Sequence, residues 1–129
     1  METVGKILAV ATGGALGAVA RYVINNSFLA FVSLSFPLPT FLINITGSLL
    51  IGFILTLAAE KVEIGENLKL FLSVGFLGAY TTFSTFEFET FQLIRERQSA
   101  TALLYVLSSV AIGLGGVLFG VWLARKLFG

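Results

Sequence analysis

The 129-residue chain has no cysteine and no histidine, and because all seven of its acidic residues are glutamates it has no aspartate either. Each absence removes a class of chemistry. Without Cys there is no disulfide framework and no thiolate ligand; without His there is no imidazole metal site, haem attachment or Ser-His-Asp triad. Charge is scarce as well, at 12% of residues, against roughly 25% in a soluble domain. Eight Lys and Arg nearly balance the glutamates for a net charge of +1, and no basic run could follow a nucleic-acid backbone, so nucleic acid is not an expected partner. What remains is Ser, Thr, Asn, Tyr, main chain and a few Glu, a set suited to binding and conduction rather than bond-breaking. An enzyme is not expected.

The abundant material is apolar: 57% of residues are hydrophobic and the mean hydropathy is +0.97. Charges cut the chain into the silent intervals 7–20, 22–59, 70–86 and 98–124. A spanning helix needs about 20 apolar residues, and the second interval is interrupted at Asn25-Asn26-Ser27 and again at Pro37 and Pro39, where a helix stops or starts. The expectation is an all-α membrane protein, a single domain over 1–129 with four spans near 4–26, 39–59, 68–94 and 99–125. Lys6 ahead of a run ending in Ala18-Val19-Ala20 also fits a cleavable leader. Gly13, Gly14 and Gly17 within that run suit close helix packing better.

Lys6, Lys61, Lys69, Arg125 and Lys126 would share one face of the membrane and Arg21, Arg95 and Arg97 the other. Five against three is a weak orientation bias, which would allow insertion both ways up and antiparallel pairing of two copies. Four packed helices fill their own centre with side chains. A conduction path is therefore expected between subunits.

Polar groups within the spans are the candidates for function. Gly13, Gly17 and Arg21 recur at helical spacing on one face; Arg21 either snorkels to the headgroups or helps anchor a dimer or draw anions toward a vestibule. In the second span Asn44 is followed by Thr46, Gly47, Ser48 and Gly52, and its amide either bonds across the bundle or offers NH2 to a pore. The third span carries the strongest signal, Gly75-Phe76-Leu77-Gly78-Ala79-Tyr80-Thr81-Thr82-Phe83-Ser84-Thr85-Phe86. Two glycines before a run of hydroxyls are where a helix can open and leave carbonyls free, ligands for a hard cation such as Na+; the alternative is an unbroken helix whose hydroxyls bond back to their own carbonyls. Phe83 and Phe86 sit three apart, so a resumed helix would present both rings on one face, and ring edges carry the positive end of the aromatic quadrupole. Such edges would favour an anion without trapping it. In the fourth span Tyr105, Ser108 and Ser109 lie on adjacent faces, either continuing a line of donors or bonding across the bundle.

Three motifs, Gly13-Gly14-x-x-Gly17-Ala18-x-x-Arg21-Tyr22, Thr40-x-x-x-Asn44-x-x-Gly47-Ser48 and Gly75-Phe76-x-Gly78-x-x-Thr81-Thr82-Phe83-Ser84-Thr85-Phe86, closely resemble those of the CrcB/Fluc family of small bacterial fluoride channels. The resemblance covers three of the four expected spans; Leu77 and Ala79 stand where the family often has Cys and Gly. It implies a dual-topology antiparallel homodimer in the cell membrane, with a broken third helix, two fluoride pores and a central Na+ held by the carbonyls of Gly78 and Thr81 from both subunits. It further implies that fluoride passes Asn44 and the ring edges of Phe83 and Phe86, with Ser84, Thr85, Tyr105 and Ser109 as polar neighbours and Glu89 beside the pore.

A strongly hydrated ion such as fluoride needs many short donors in place of its water, and Asn, Ser, Thr and Tyr supply them. Glu87 and Glu89 lie in the third span, yet no His and no carboxylate falls within the uncharged intervals, so passive export is expected over proton coupling. A small proton-coupled exporter and a purely structural membrane protein are the competing readings. The first lacks a titratable carboxylate in the first span after Glu2, and the second leaves Asn44 and the hydroxyl cluster without a purpose.

Overall fold

The computed structural model describes residues 1–33 and 35–129, and among them every regular element is helical. In chain order they are α1 (Glu2–Asn25), α2 (Leu29–Val32), α3 (Leu38–Thr56) continued by a π turn (Leu57–Lys61), α4 (Glu66–Leu70) continued by a second π turn (Phe71–Leu77), α5 (Gly78–Tyr80), α6 (Ser84–Arg95) and α7 (Ser99–Phe128). Three stretches, Glu2–Val32, Leu38–Lys61 and Ser99–Phe128, are long and apolar enough to cross a membrane. Proline starts α3: Pro37 is its N-cap and Pro39 lies in its first turn, where a missing N–H costs nothing. The expected opening helix ends at Asn25, and the connection to α3 holds the short α2, which no sequence signal announced.

The remaining stretch, 66–95, is helical at both ends and interrupted in its middle. Thr81 is extended, with φ −80° and ψ 157°, and regular helix resumes only at Ser84. At the far end α6 closes on a Schellman turn: Gln98 N–H donates to Leu93 O at 2.8 Å and Arg97 N–H to Ile94 O at 3.0 Å. Arg97 takes the left-handed conformation there, φ 61°, at the place glycine usually fills.

Two close pairings build the bundle. In one, α1 lies against the second π turn and α5; in the other, α3 runs along α7. Glycines set both distances. A Cβ on Gly13 or Gly17 would run into the carbonyls of Phe71 or Phe76, and one on Gly52 or Gly120 into those of Val117 or Leu49. Between lipid-like surfaces no hydrophobic drive distinguishes helix from tail, so such contact is what holds helices together. Buried Ile43, Leu77 and Tyr80 join α3 to the broken stretch, while Phe86, Leu93, Ala102 and Tyr105 join α6 to α7.

Candidate functional site

The interruption is held by side chains from outside it. Asn44 on α3 meets Thr82 twice: its Nδ2 donates to the Thr82 carbonyl at 3.0 Å and its Oδ1 accepts the Thr82 N–H at 2.9 Å. The side-chain amide thus replaces a backbone partner in both senses. Arg21 on α1 donates from Nε to the Ala79 carbonyl at 3.0 Å, and Thr46 on α3 shares a 2.9 Å hydrogen bond with the Tyr80 hydroxyl. Within the segment, Leu77 O accepts both the N–H and the hydroxyl of Thr81, and the Thr82 hydroxyl accepts the Thr85 N–H, capping the start of α6. Of the hydroxyl run, only Thr81 bonds back to a carbonyl of its own helix.

These bonds decide which main-chain oxygens are left over. In a continuous helix Gly78 O would accept the Thr82 N–H. Asn44 has taken that N–H, and Thr81, being extended, turns its own carbonyl out of helical register. Gly78 and Thr81 both line a cavity of about 410 Å³ between α3, the interrupted stretch and α7.

Asn44, Ser48, Thr82, Ser109, Phe83 and Phe86 line that cavity as well. A carboxamide has two N–H donors and the Thr82 carbonyl uses one, so Asn44 keeps a second. The Thr82 hydroxyl accepts from Thr85 and keeps its own proton to give. Ser109 Oγ is buried and has no partner among the described residues. Phe86 is 7% exposed and packs edge-on against Tyr105 with ring centroids 4.9 Å apart, whereas Phe83, its centroid 6.1 Å from that of Phe86, is 74% exposed. The two rings three residues apart do neighbour one another, but one is in the core and the other on the outside of the single chain.

One turn along α6 from Phe86 a second cavity, of about 430 Å³, is lined by Thr85 and Glu89. Glu89 is tied at both oxygens: the Thr40 hydroxyl donates to Oε2 at 3.1 Å and the Tyr105 hydroxyl to Oε1 at 2.8 Å. Thr40 and Tyr105 are among the most deeply buried side chains of the molecule. Tyr105 is therefore a partner of Glu89 and Phe86 rather than a lining residue of the first cavity, and Ser84 is exposed and lines neither. Gly13 and Gly17 lie in the contact between α1 and the second π turn, on the face from which Arg21 reaches Ala79.

Sequence reasoning did not single out Thr40, Thr46 or Thr82 as site residues. For Thr40 a signal existed: it precedes Asn44 by four, which places both on one face of α3.

An all-helical bundle of this apolarity, with polar donors gathered at an interrupted helix, defines a small multi-pass membrane protein of the kind that moves a solute. A family profile described as CrcB-like protein, Camphor Resistance (CrcB), matches residues 8–121, and the chain belongs to this family. The fluoride-specific ion channel FluC of Nitrobacter winogradskyi is 44% identical over 121 residues, 94% of this chain and 96% of the relative. That of Geobacter sulfurreducens is 43% identical over 121 residues, 94% and 98% of the two chains. The fluoride-specific ion channel FluC 2 of Clostridium acetobutylicum is 43% identical over 113 residues, 88% and 92%.

Proposed function

We propose that the protein is a fluoride channel of a bacterial plasma membrane, letting fluoride leave the cytoplasm passively. The observation that carries this is the near-full-length likeness to proteins named as fluoride-specific channels, and the donor-lined cavity beside the interruption supports it. Fluoride is compact and holds its water strongly, so a selective path must offer several donors in close succession. The spare N–H of Asn44 and the hydroxyls of Thr82, Ser109 and Ser48 are such donors, neutral and therefore able to release the ion again. Phe83 and Phe86 add ring edges, whose partial positive charge attracts an anion weakly. Beyond them Thr85 and Glu89 line the second cavity, the carboxylate held by Thr40 and Tyr105.

The working unit in this reading is an antiparallel homodimer with four spans per chain and two pores. Main-chain polar groups at membrane depth survive only if protein or a water-filled cavity covers them. Gly78, Phe83 and Ser84, at the interruption midway along the third stretch, are exposed in one chain. A second, inverted copy would cover them. It would also bring a second pair of Gly78 and Thr81 carbonyls to the first, and neutral carbonyl oxygens from unwound helix are a donor set that suits Na+. One bound Na+ would supply a fixed positive charge and tie the two interruptions together.

Fluoride efflux from liposomes, with chloride as the control, tests the reading. Rapid fluoride release with retained chloride is expected; no fluoride release, or equal release of both, would refute it.

A further inference from the structure

Arg21 is half-buried inside the bundle and makes no salt bridge among the described residues. Its recorded partner is main chain: Nε–H donates to Ala79 O at 3.0 Å, across 58 residues of sequence. In a continuous helix that carbonyl would accept the Phe83 N–H, and the extended Thr81 removes the donor. Arg21 supplies the missing one. An intramembrane arginine is stabilised by such pairing with backbone carbonyls.

Taken with Asn44, this accounts for two of the oxygens at the end of α5. Arg21 occupies Ala79 O from the α1 side, Asn44 removes the Thr82 N–H from Gly78 from the α3 side, and Gly78 O is left over between them. We infer that Arg21 is a positioning residue of the site: by holding the Ala79 carbonyl it fixes the last turn of α5 and with it the place of the unclaimed Gly78 carbonyl beside the cavity. The assignment deepens the channel reading and rests on it. It separates cleanly from a role as a vestibule charge. Any long cation attracts anions, whereas a grip on Ala79 needs an N–H at the Nε position, where lysine has a methylene and keeps its charge one atom further out.

The sequence has a single Ala-Tyr pair, Ala79-Tyr80, so carbonyl-13C alanine combined with 15N tyrosine isolates one resonance, that of the carbonyl Arg21 holds. In the wild-type protein in lipid, 15Nε arginine should dephase that carbonyl through dipolar coupling, as direct contact requires. Arg21→Lys should move the resonance upfield and lower fluoride efflux roughly tenfold, the scale of one lost charge-assisted hydrogen bond, and Arg21→Gln should do the same. Absent dephasing in the wild type, which needs no variant to fold, would overturn the assignment. So would an unmoved resonance in either variant, or wild-type efflux in Arg21→Lys, which would return Arg21 to the role of a simple charge. Wild-type liposomes that retain fluoride would overturn the channel reading and this assignment with it, whereas failure of the grip alone leaves wild-type efflux intact.

Discussion

The α3–α7 pair and the interrupted stretch 66–95 solve the same problem in opposite ways. Along α3 and α7 the helical ladder runs uninterrupted, and the two need only shape to join: Gly52 receives Val117 and Gly120 receives Leu49, a reciprocal fit of notch to carbonyl. Among the described residues their one strong polar link is at the end, where Arg125 forks onto Glu60 of the π turn that continues α3, with contacts of 2.9 and 2.7 Å. The interrupted stretch cannot close its own ladder and borrows main-chain partners from α1 and α3, namely Arg21 and Asn44, while Thr46 holds the Tyr80 hydroxyl. Function sits in the second kind of region. The interior of an intact helix has no spare main-chain atom to offer, while a broken one held by outside side chains presents carbonyls and donors at fixed places.

Substitutions that act on one region and spare the other sharpen this contrast. The largest effect is expected from Gly120→Val: its side chain has no room against Leu49 O and Phe53 N, both backbone. Overpacking of this kind costs about 1–3 kcal/mol or more, and the variant should fail to elute as folded protein in size-exclusion chromatography. A well-folded Gly120→Val would mean the pair is not set by that notch.

Next comes Asn44→Asp, which keeps the acceptor for Thr82 N–H, loses the donor to Thr82 O and sets a negative charge beside an anion path. An unsatisfied buried partner costs about 1–3 kcal/mol, and fluoride efflux should fall roughly tenfold to a hundredfold while the protein still elutes normally. Wild-type efflux would remove Asn44 from the path.

Phe86→Ile and Phe83→Ile erase a ring edge at similar volume and should each reduce efflux. Phe86→Ile should also destabilise the fold of each chain, because that ring packs on Tyr105 in the core, whereas Phe83→Ile should act at the surface the second copy covers and show as weaker pairing in size-exclusion chromatography. Normal efflux in both variants would leave the rings as packing.

The smallest effect is expected for Glu60→Gln. It breaks an exposed ion pair of the intact region, and exposed pairs contribute little. Fluoride efflux should be indistinguishable from wild type; a clear loss would show that the α3–α7 end communicates with the site.

Much of the helical layout was legible because charges and prolines mark where apolar runs end: the expected segments 4–26, 39–59 and 99–125 each lie on a helix of the structure, and 68–94 lies on the interrupted stretch. The opening of that stretch was legible too, since Gly78 and the hydroxyls after it are a local signal. The π turns at Leu57–Lys61 and Phe71–Leu77 were not. They depend on how neighbouring helices press, and the second lies where α1 brings Gly13 and Gly17 against it. Nor could the sequence tell that Asn44 would grip Thr82, Arg21 the Ala79 carbonyl or Thr40 the Glu89 carboxylate. Those partners are separated by 38, 58 and 49 residues, and no periodicity within one helix reports on a contact with another. The same holds for Phe83 and Phe86: their spacing predicts neighbouring rings, but which one is buried is decided by Tyr105 on α7.

The most direct test of the central claim, that an interruption held open from outside builds the conduction site, is an experimental structure of the lipid-embedded protein prepared in sodium and fluoride. The account predicts two inverted copies, residues 81–83 out of helical register with Asn44 on Thr82, and one compact density where the Gly78 and Thr81 carbonyls of both copies converge. A continuous helix through 66–95, or copies that all face one way, would contradict it.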